Sequence, residues 1–347
     1  MDGSHSAPAR VRQVTIRRAG ASVAPVMGAP ETPSPTAGGV LVIAGPTASG
    51  KSALALALAE AVGGTVINAD SQQLYRELRL LTARPSAQEE ARTPHRLFGV
   101  LAGDDVCSAQ RWREMAERAI RESLAAGRLP ILCGGTGFYL KAMLEGLSPM
   151  PEIPAAVREA VRARVEAEGP AAAHARLAAV DPESAARIAP ADRQRIARAL
   201  EVFEASGETL TRWRTAPPAG PPAGMRFAVV MLAPPRAALV ERIEARFDAM
   251  MAAGALEEVR ALRAAGLPED APVWKAVGAR DLAAAIRGDR SLEAAVADAK
   301  TATRQYAKRQ ATWLRRQIVA DVALTEQFSE KLIDHTLSFL RESGLTA

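Results

Sequence analysis

The segment of residues 45–52 reads GPTASGKS and matches the phosphate-binding pattern G-x-x-x-x-G-K-[ST] at every fixed position. Glycines in such a loop let successive backbone N–H groups point at phosphate oxygens, Lys51 adds a positive charge, and Ser52 offers a hydroxyl to a metal ion. The pattern predicts a site for a di- or triphosphate, with Mg²⁺ as cofactor and Ser52 as its ligand. The predicted phosphate-binding residues are Gly45, Pro46, Thr47, Ala48, Ser49, Gly50, Lys51 and Ser52.

The loop alone does not specify the phosphate compound. The chain has no N-K-x-D guanine signature and no convincing run of four apolar residues that ends in aspartate, as ATPases have. Asp70 directly follows the segment 66–69, a predicted strand. Since parallel sheets place their ligand contacts at the carboxyl ends of strands, Asp70 is expected near the phosphate site.

Short apolar segments alternate with helical ones in the first part of the chain. Residues 52–62 and 111–126 are predicted helices, and strands are predicted at 39–44, 66–69, 97–101, 129–133 and 227–232. This alternation predicts an α/β fold of the P-loop NTPase kind, with a parallel sheet flanked by helices. Residues 153–213 show a helical pattern without a strand, and the chain after residue 235 is predicted helical nearly to its end.

These patterns predict a core that is interrupted by an all-helical insertion domain. Residues 1–38 are rich in Ala, Pro, Gly, Ser and Arg and are predicted to be a disordered extension. The core is expected to comprise residues 39–148 and 223–347, the second part carrying basic helices. The insertion domain is expected at residues 149–222 and ends in a linker rich in proline and glycine.

The composition is that of an ordinary globular protein, with 48% hydrophobic and 24% charged residues. The formal net charge of +5 is compatible with an anionic partner. Charges, glycines and prolines interrupt every apolar run, so no membrane span is predicted. Two cysteines and four scattered histidines argue against a disulfide framework or a zinc site and favour a cytoplasmic location.

Four blocks of the sequence resemble the tRNA dimethylallyltransferases, also called tRNA isopentenyltransferases. GPTASGKS is followed by DSQQLYR at residues 70–76, similar to the family pattern D-S-x-Q-x-Y-R. CGGTGFY at 133–139 resembles G-G-T-x-x-Y, DRQRIARALEV at 192–202 resembles Q-R-x-x-R-A-L-E-V, and KRQATWLR at 308–315 resembles K-R-Q-x-T-W-x-R. The chain departs from the family at 77–84, where Gly, Asp and Lys of the pattern are replaced, and near 277–281, where a tyrosine is missing.

The resemblance implies transfer of a dimethylallyl group from its diphosphate to N6 of the adenine 3′ of the anticodon in tRNA. Asp70, Thr136 and Lys51 are the expected catalytic residues, with Asp70 as general base. The substrates and partners are then dimethylallyl diphosphate and the anticodon stem-loop of tRNA, and we expect a monomer. The expected tRNA contacts are Asp70, Ser71, Gln72, Gln73, Arg158, Gln194, Arg195, Ile196, Ala197, Arg198, Lys308, Arg309, Gln310, Trp313 and Arg315.

Three other hypotheses fit the phosphate loop. A small-molecule kinase would bind ATP there, and a relative that prenylates free adenine nucleotides would use the same donor, but neither needs the basic segment 300–316. A nucleotide-gated RNA-binding protein without catalysis would tolerate the loss of Asp70 and Thr136.

Overall fold

The computed structural model describes residues 38–326 and 328–346. The chain divides into two compact units: Met1–Met143 with Pro222–Ala347 form the first, and Leu144–Pro221 form the second. Nearly all of the extension predicted at residues 1–38 lies outside the described residues, since only Gly38 is described and it already belongs to a strand.

The first unit is built on one parallel sheet. Its strands are β1 (Gly38–Ala44), β2 (Thr65–Asn68), β3 (His95–Arg96), β4 (Pro130–Gly134), β5 (Met225–Leu232) and β6 (Val322–Leu324). They lie in the order β3-β2-β4-β1-β5-β6, and every pair is parallel. The predicted fold class is confirmed.

The structure corrects two strands of the sequence prediction. The third strand was expected at residues 97–101, but β3 ends at Arg96. Leu97 and Gly99 adopt left-handed backbone angles (φ 65° and 60°), which no extended strand contains. Leu101 makes only a single bridge, to Tyr75. The chain after residue 235 was expected to be helical nearly to its end, but it also contains β6. This strand has three residues, too few to show an alternation of apolar and polar side chains.

Thirteen helices are present within the described residues. In chain order they are α1 (Lys51–Val62), α2 (Ala87–Arg92), α3 (Ala109–Ala125), α4 (Gly137–Leu144), α5 (Ala155–Val180), α6 (Pro182–Arg187), α7 (Arg193–Ser206), α8 (Leu210–Arg214), α9 (Arg236–Ala252), α10 (Ala255–Ala264), α11 (Ala279–Arg287), α12 (Leu292–Gln317) and α13 (Glu330–Glu342). Short 3₁₀ turns occupy Ser71–Leu74 and Pro272–Lys275. No helix in the described part of the chain is long and apolar enough to span a membrane.

Each unit has its own apolar core. In the first unit, β1 supplies Leu41 and Ile43 and α1 supplies Leu54 and Leu58, all of them fully buried. In the second unit, α5 and α7 pack together through residues that include Val161 and Ile196. The α5 helix is kinked at Gly169 (φ 79°), directly before Pro170, because neither residue continues a regular helix.

Candidate active site

The sheet brings three loops of the sequence motifs to one edge. β1 pairs with β4, and β4 pairs with β2, so the carboxyl ends of these strands are neighbours. The phosphate loop follows β1, the segment with Thr136 follows β4, and Asp70 follows β2. Ligands of parallel sheets bind at this edge, so the three motifs share one site.

The phosphate loop has the backbone that an anion site requires. Ala48 and Gly50 adopt left-handed angles (φ 63° and 92°), which turn the chain tightly before α1. The first turn of α1 has no side-chain cap and no acidic residue, so its N–H groups and dipole are available to an anion. Ser49 lies fully buried within the loop.

Lys51 is buried at the start of α1, and its Nζ lies 3.4 Å from the carbonyl oxygen of Pro46. Burial lowers the pKa of Lys51, and the negative charge of Asp70 partly offsets this. A buried ammonium group without a hydrogen-bonded carboxylate is costly in the absence of an anion. The lysine is therefore suited to a ligand that carries its own negative charge.

Ser52 is the one predicted metal ligand, and the donor set around it is sparse. Within the described residues, no group of three or more His, Cys, Asp or Glu side chains could hold a metal ion. Mg²⁺ commonly keeps several waters and uses one or two protein oxygens together with substrate phosphates. The exposed Ser52 at the loop fits that mode of binding, and a metal cage made only of protein groups does not fit.

Asp70 caps the 3₁₀ turn that follows β2. Its Oδ1 accepts a hydrogen bond from the backbone N–H of Gln72 at 3.0 Å. Within residues 38–326 and 328–346, Oδ2 has no hydrogen-bonding partner. One carboxylate oxygen thus fixes the side chain while the other remains available to a substrate.

Thr136 is attached to the segment that carries Asp70. Its Oγ1 accepts a hydrogen bond from the backbone N–H of Ser71 at 2.9 Å, and its own N–H donates to the carbonyl oxygen of Ala69 at 3.2 Å. Gly134 allows this approach, because a Cβ there would lie 2.1 Å from the carbonyl group of Ala69. Hydrogen bonds therefore join the loop after β4 to the loop that carries Asp70.

Sequence reasoning missed Arg246, which lies on α9. Its guanidinium group donates a hydrogen bond to Oγ1 of Thr47 in the phosphate loop. Burial lowers the pKa of Arg246, while the charge of Asp70 raises it. No local motif marks this arginine among the many of the chain, so only the packing of α9 identifies it.

Tyr306 of α12 completes the polar part of the site and was also missed as a site residue. Burial is the main cause that raises the pKa of this phenol, and the charge of Asp70 adds to it. The phenol hydroxyl group interacts with the side chains of Thr136 and Gln310, which oppose the shift. Tyr306 therefore stays neutral and can donate a hydrogen bond.

A cavity opens among these groups, and its lining combines polar and apolar side chains. Asp70, Arg246, Thr47 and Tyr306 line its polar part together with Gln72, Thr82 and Thr303. The remaining lining residues are Leu81, Ile243, Phe247, Met250, Ala276 and Val277. The cavity thus suits a molecule that carries both an anionic group and a short hydrocarbon group.

Gln310, predicted as a tRNA contact, is instead buried beneath the site. Its Oε1 accepts a hydrogen bond from the N–H of Thr47 at 2.9 Å, and its Nε2 donates to the carbonyl oxygen of Gly135 at 3.0 Å. The side chain therefore links α12 to the phosphate loop and to the loop after β4. The sequence could not reveal this, because the amide partners lie 263 and 175 residues away.

Replacing Gln310 with alanine is expected to lower the free energy of unfolding by about 1–3 kcal/mol for each backbone group left unpaired. Urea denaturation measures this loss, and Gln305→Ala, on an exposed position of the same helix, is the control. If both variants unfold at the same urea concentration, the link through Gln310 does not stabilise the site.

The loop of residues 77–84, which departs from the family pattern, is held by Glu258 of α10. The Glu258 carboxylate accepts hydrogen bonds from the backbone N–H groups of Arg79, Leu80 and Leu81, at 2.5, 2.9 and 2.9 Å. The guanidinium group of Arg84, where the family has lysine, donates to the carbonyl oxygens of Tyr75 and Arg76. Leu81 is thereby fixed in the cavity wall.

Replacing Glu258 with glutamine is expected to destabilise this loop by about 1–3 kcal/mol, because an amide group cannot accept all three hydrogen bonds. Hydrogen exchange at the amides of Arg79, Leu80 and Leu81 should become faster, whereas Glu257→Gln, an exposed neighbour, should leave it unchanged. Equal exchange rates in both variants would contradict the anchoring role.

The other residues predicted to contact tRNA lie in different environments. Gln73 donates through Nε2 to the carbonyl oxygens of Thr82 and Ala83, so it holds the loop 77–84. On α12, Lys308, Arg309 and Arg315 are exposed and Trp313 is partly exposed. In the second unit, Arg158, Gln194 and Arg195 are exposed, and Arg198 lies 3.6 Å from the buried carboxylate of Glu201.

Ile196 and Ala197 do not match their predicted position on an RNA-binding surface. Both are buried in the core of the second unit, with exposed fractions of 0% and 7%. They carry the apolar face of α7, whose other side presents the polar residues of the same motif. At these two positions, the residue types of the motif are explained by packing in the core of the second unit.

Comparison with known proteins gives one consistent family. The family model for IPP transferase matches residues 73–317. Proteins named tRNA dimethylallyltransferase from Parvibaculum lavamentivorans and Rhodospirillum centenum are 53% and 54% identical, over 89% and 81% of this chain and 98% and 90% of their own lengths.

Solved structures agree with the sequence relatives. A tRNA isopentenylpyrophosphate transferase from Staphylococcus epidermidis is similar with a TM-score of 0.63 and 30% identity, covering 88% of this chain and 99% of that one. A eukaryotic dimethylallyltransferase acting on tRNA gives a TM-score of 0.74 at 26% identity, covering 88% and 80%. With its phosphate loop, Asp70 and Thr136 at one edge of the sheet, this chain belongs to the IPP transferase family.

Proposed function

We propose that the protein transfers the dimethylallyl group of dimethylallyl diphosphate to N6 of the adenine 3′ of the anticodon in tRNA. The observation that carries this proposal is the cavity between the phosphate loop and Asp70. Arg246 lines this cavity together with Ile243, Phe247 and other apolar residues. Lys51 lies buried at the neighbouring phosphate loop. A phosphoryl acceptor such as a sugar would gain nothing from these apolar side chains, so the cavity favours a prenyl donor over a kinase substrate.

In the proposed reaction, the bond between N6 and C1 of the dimethylallyl group forms while the bond from C1 to the diphosphate oxygen breaks. The amine is a weak nucleophile because its lone pair is delocalised into the purine ring. Asp70, through its unpartnered Oδ2, accepts the proton that N6 releases. Oε1 of Gln72 is buried in the same cavity without a partner among the described residues and can accept a hydrogen bond from the other N6 hydrogen.

The diphosphate leaves with increasing negative charge, and this chain supplies fixed positive groups to stabilise it. The loop amides, Lys51 and Arg246 surround the place where that charge develops, and their burial strengthens the interaction. Ser52 would hold Mg²⁺ through its hydroxyl together with diphosphate oxygens, and the bound ion would neutralise part of the leaving-group charge.

The tRNA-binding face proposed for the first unit is the exposed side of α12. Lys308, Arg309 and Arg315 are exposed there and can contact phosphates. Lys300 and Arg304, farther along the basic segment, are paired with Asp248 and Glu244. In the second unit, Arg158, Gln194, Arg195 and Arg198 are proposed as a further RNA-binding patch.

The deciding experiment incubates the protein with radiolabelled dimethylallyl diphosphate, Mg²⁺ and unmodified tRNA. We expect label in tRNA at the adenine 3′ of the anticodon, and none with the variant Lys51→Met. Label on AMP but not on tRNA would assign the protein to nucleotide prenylation. Hydrolysis of ATP with phosphoryl transfer, and no prenyl transfer, would identify a kinase instead.

A further inference from the structure

Phe138 is the only Phe, Tyr or Trp side chain that is exposed in the part of the chain that the structure describes, with 54% of its surface accessible. It lies in the first turn of α4, two residues after Thr136, so its Cα is at most about 7 Å from that of Thr136. The two residues that follow, Tyr139 and Leu140, are buried. The helix therefore buries one side and presents Phe138 to solvent beside the site.

Aromatic and cationic residues of α12 lie next to the segment that carries Phe138. Gly137 lies directly against the indole ring of Trp313, because a Cβ at Gly137 would be 2.0 Å from Cε3 of that ring. Helical spacing places Arg309 and Arg316 on the same face of α12 as Trp313, one turn before and one turn after it. Both arginines are exposed, and the guanidinium carbon of Arg309 lies 5.8 Å from the ring centre of Tyr306.

This combination has the chemistry of a surface for single-stranded nucleic acid. Arginines bind phosphates, and an exposed ring offers a flat apolar surface on which a base can stack. An enzyme that modifies a base must pull it out of its stack, which uncovers the faces of the neighbouring bases. Burial of an exposed phenyl group stabilises a complex by about 1.5–3 kcal/mol, so a partner gains from covering it.

We propose that Phe138 is a stacking platform for a nucleobase that flanks the reacting adenine of the RNA substrate. This inference rests on the proposed function. Phe138 covers the uncovered face of that base, while Arg309 and Arg316 bind the adjoining phosphates. Stacking on Phe138 keeps the loop of the RNA open during the reaction. Phe138 itself does not contact the prenyl donor.

The test compares Phe138→Ala, Phe138→Leu and Phe138→Trp with wild type, using an RNA stem-loop as acceptor. We expect Phe138→Ala to lower kcat/KM for RNA by about tenfold to a hundredfold, the range that alanine substitution gives for base stacking. Phe138→Leu should keep only part of the activity, since it lacks a π-face, and Phe138→Trp should keep nearly all of it. The KM for the prenyl donor and the melting temperature should not change.

Leu292→Ala is the matched control. Leu292 is also an exposed apolar residue, but it lies about 30 Å along α12 from Trp313 at 1.5 Å rise per residue. This variant should react like wild type. If Phe138→Ala also stays within twofold of wild type, the stacking role is wrong.

A fluorescent base separates the inference from the proposed function. With 2-aminopurine beside the reacting adenine, binding to wild-type protein should quench its fluorescence by stacking, and Phe138→Ala should abolish the quenching. Quenching that survives in Phe138→Ala overturns the inference. RNA binding with normal quenching but no prenyl transfer would refute the proposed function alone, and loss of binding to anionic lipid vesicles without any RNA effect would assign Phe138 to a membrane surface.

Discussion

Replacing Asp70 with asparagine is expected to lower kcat for prenyl transfer by about 10²–10⁴-fold, the contribution of a positioned general base. Asparagine keeps an oxygen that accepts the hydrogen bond from the N–H of Gln72, so the 3₁₀ turn should stay intact. It cannot accept the proton from N6. Donor binding should be unchanged or tighter, because the variant removes a negative charge that faces the diphosphate site.

Single-turnover kinetics at saturating donor measures the rate, and calorimetry with a non-reactive thio analogue of the donor measures binding. Asp104→Asn, at an exposed carboxylate in a loop of the same unit, is the control and should react normally. If Asp70→Asn loses less than a few-fold in rate, another group accepts the proton. If it loses donor binding instead, Asp70 acts on the donor and not on the amine.

Replacing Arg246 with glutamine is expected to lower kcat by about 10²–10³-fold, as the loss of one preorganised donor to a developing anion does. The guanidinium group donates a hydrogen bond to Oγ1 of Thr47 and lies within the cavity, so it meets the charge that grows on the diphosphate as C1 departs. Burial lowers the pKa of Arg246, but the guanidinium group of an arginine stays protonated in proteins.

Arg246→Lys should recover part of this loss, because lysine restores the charge without the planar arrangement of donors. Arg236→Gln, at the exposed first position of the same helix, is the control. The split between kcat and KM decides the role. An effect confined to KM for the donor would mean that Arg246 binds ground state and transition state equally, which contradicts the proposal.

The positions of the phosphate loop, Asp70 and Thr136 could be predicted from local sequence patterns. Each follows a strand that is apolar enough to be recognised, and strands joined through helices form parallel sheets. From this alone, three loops at one edge of a sheet were predictable. The weak strand β3 was misplaced, because positive φ angles at Leu97 and Gly99 depend on contacts of the folded loop, and a leucine gives no local sign of them.

The environments of Arg246 and Gln310 could not be predicted from local sequence patterns. Arg246 is one of three arginines in α9, and its hydrogen bond with Thr47, 199 residues away, depends on how α9 packs in the folded unit. The resemblance marked Gln310 as a tRNA contact, whereas the structure buries its side chain between α12 and two loops of the site. A sequence motif shows which residue type occupies a position. It does not show whether the side chain at that position faces the core or the solvent.

Local patterns in the sequence were enough to predict the parallel α/β fold, the phosphate loop and the residues at the strand ends, and four sequence blocks indicated the family. These depend on backbone conformation and on the alternation of apolar residues, which are properties of neighbours in the chain. Four features became visible only in the folded structure: the apolar residues that line the cavity, Arg246 beside the phosphate loop, the Glu258 carboxylate that holds the loop 77–84, and the exposed side chain of Phe138. These depend on contacts between helices and loops far apart in sequence, whose geometry is fixed only when the core packs.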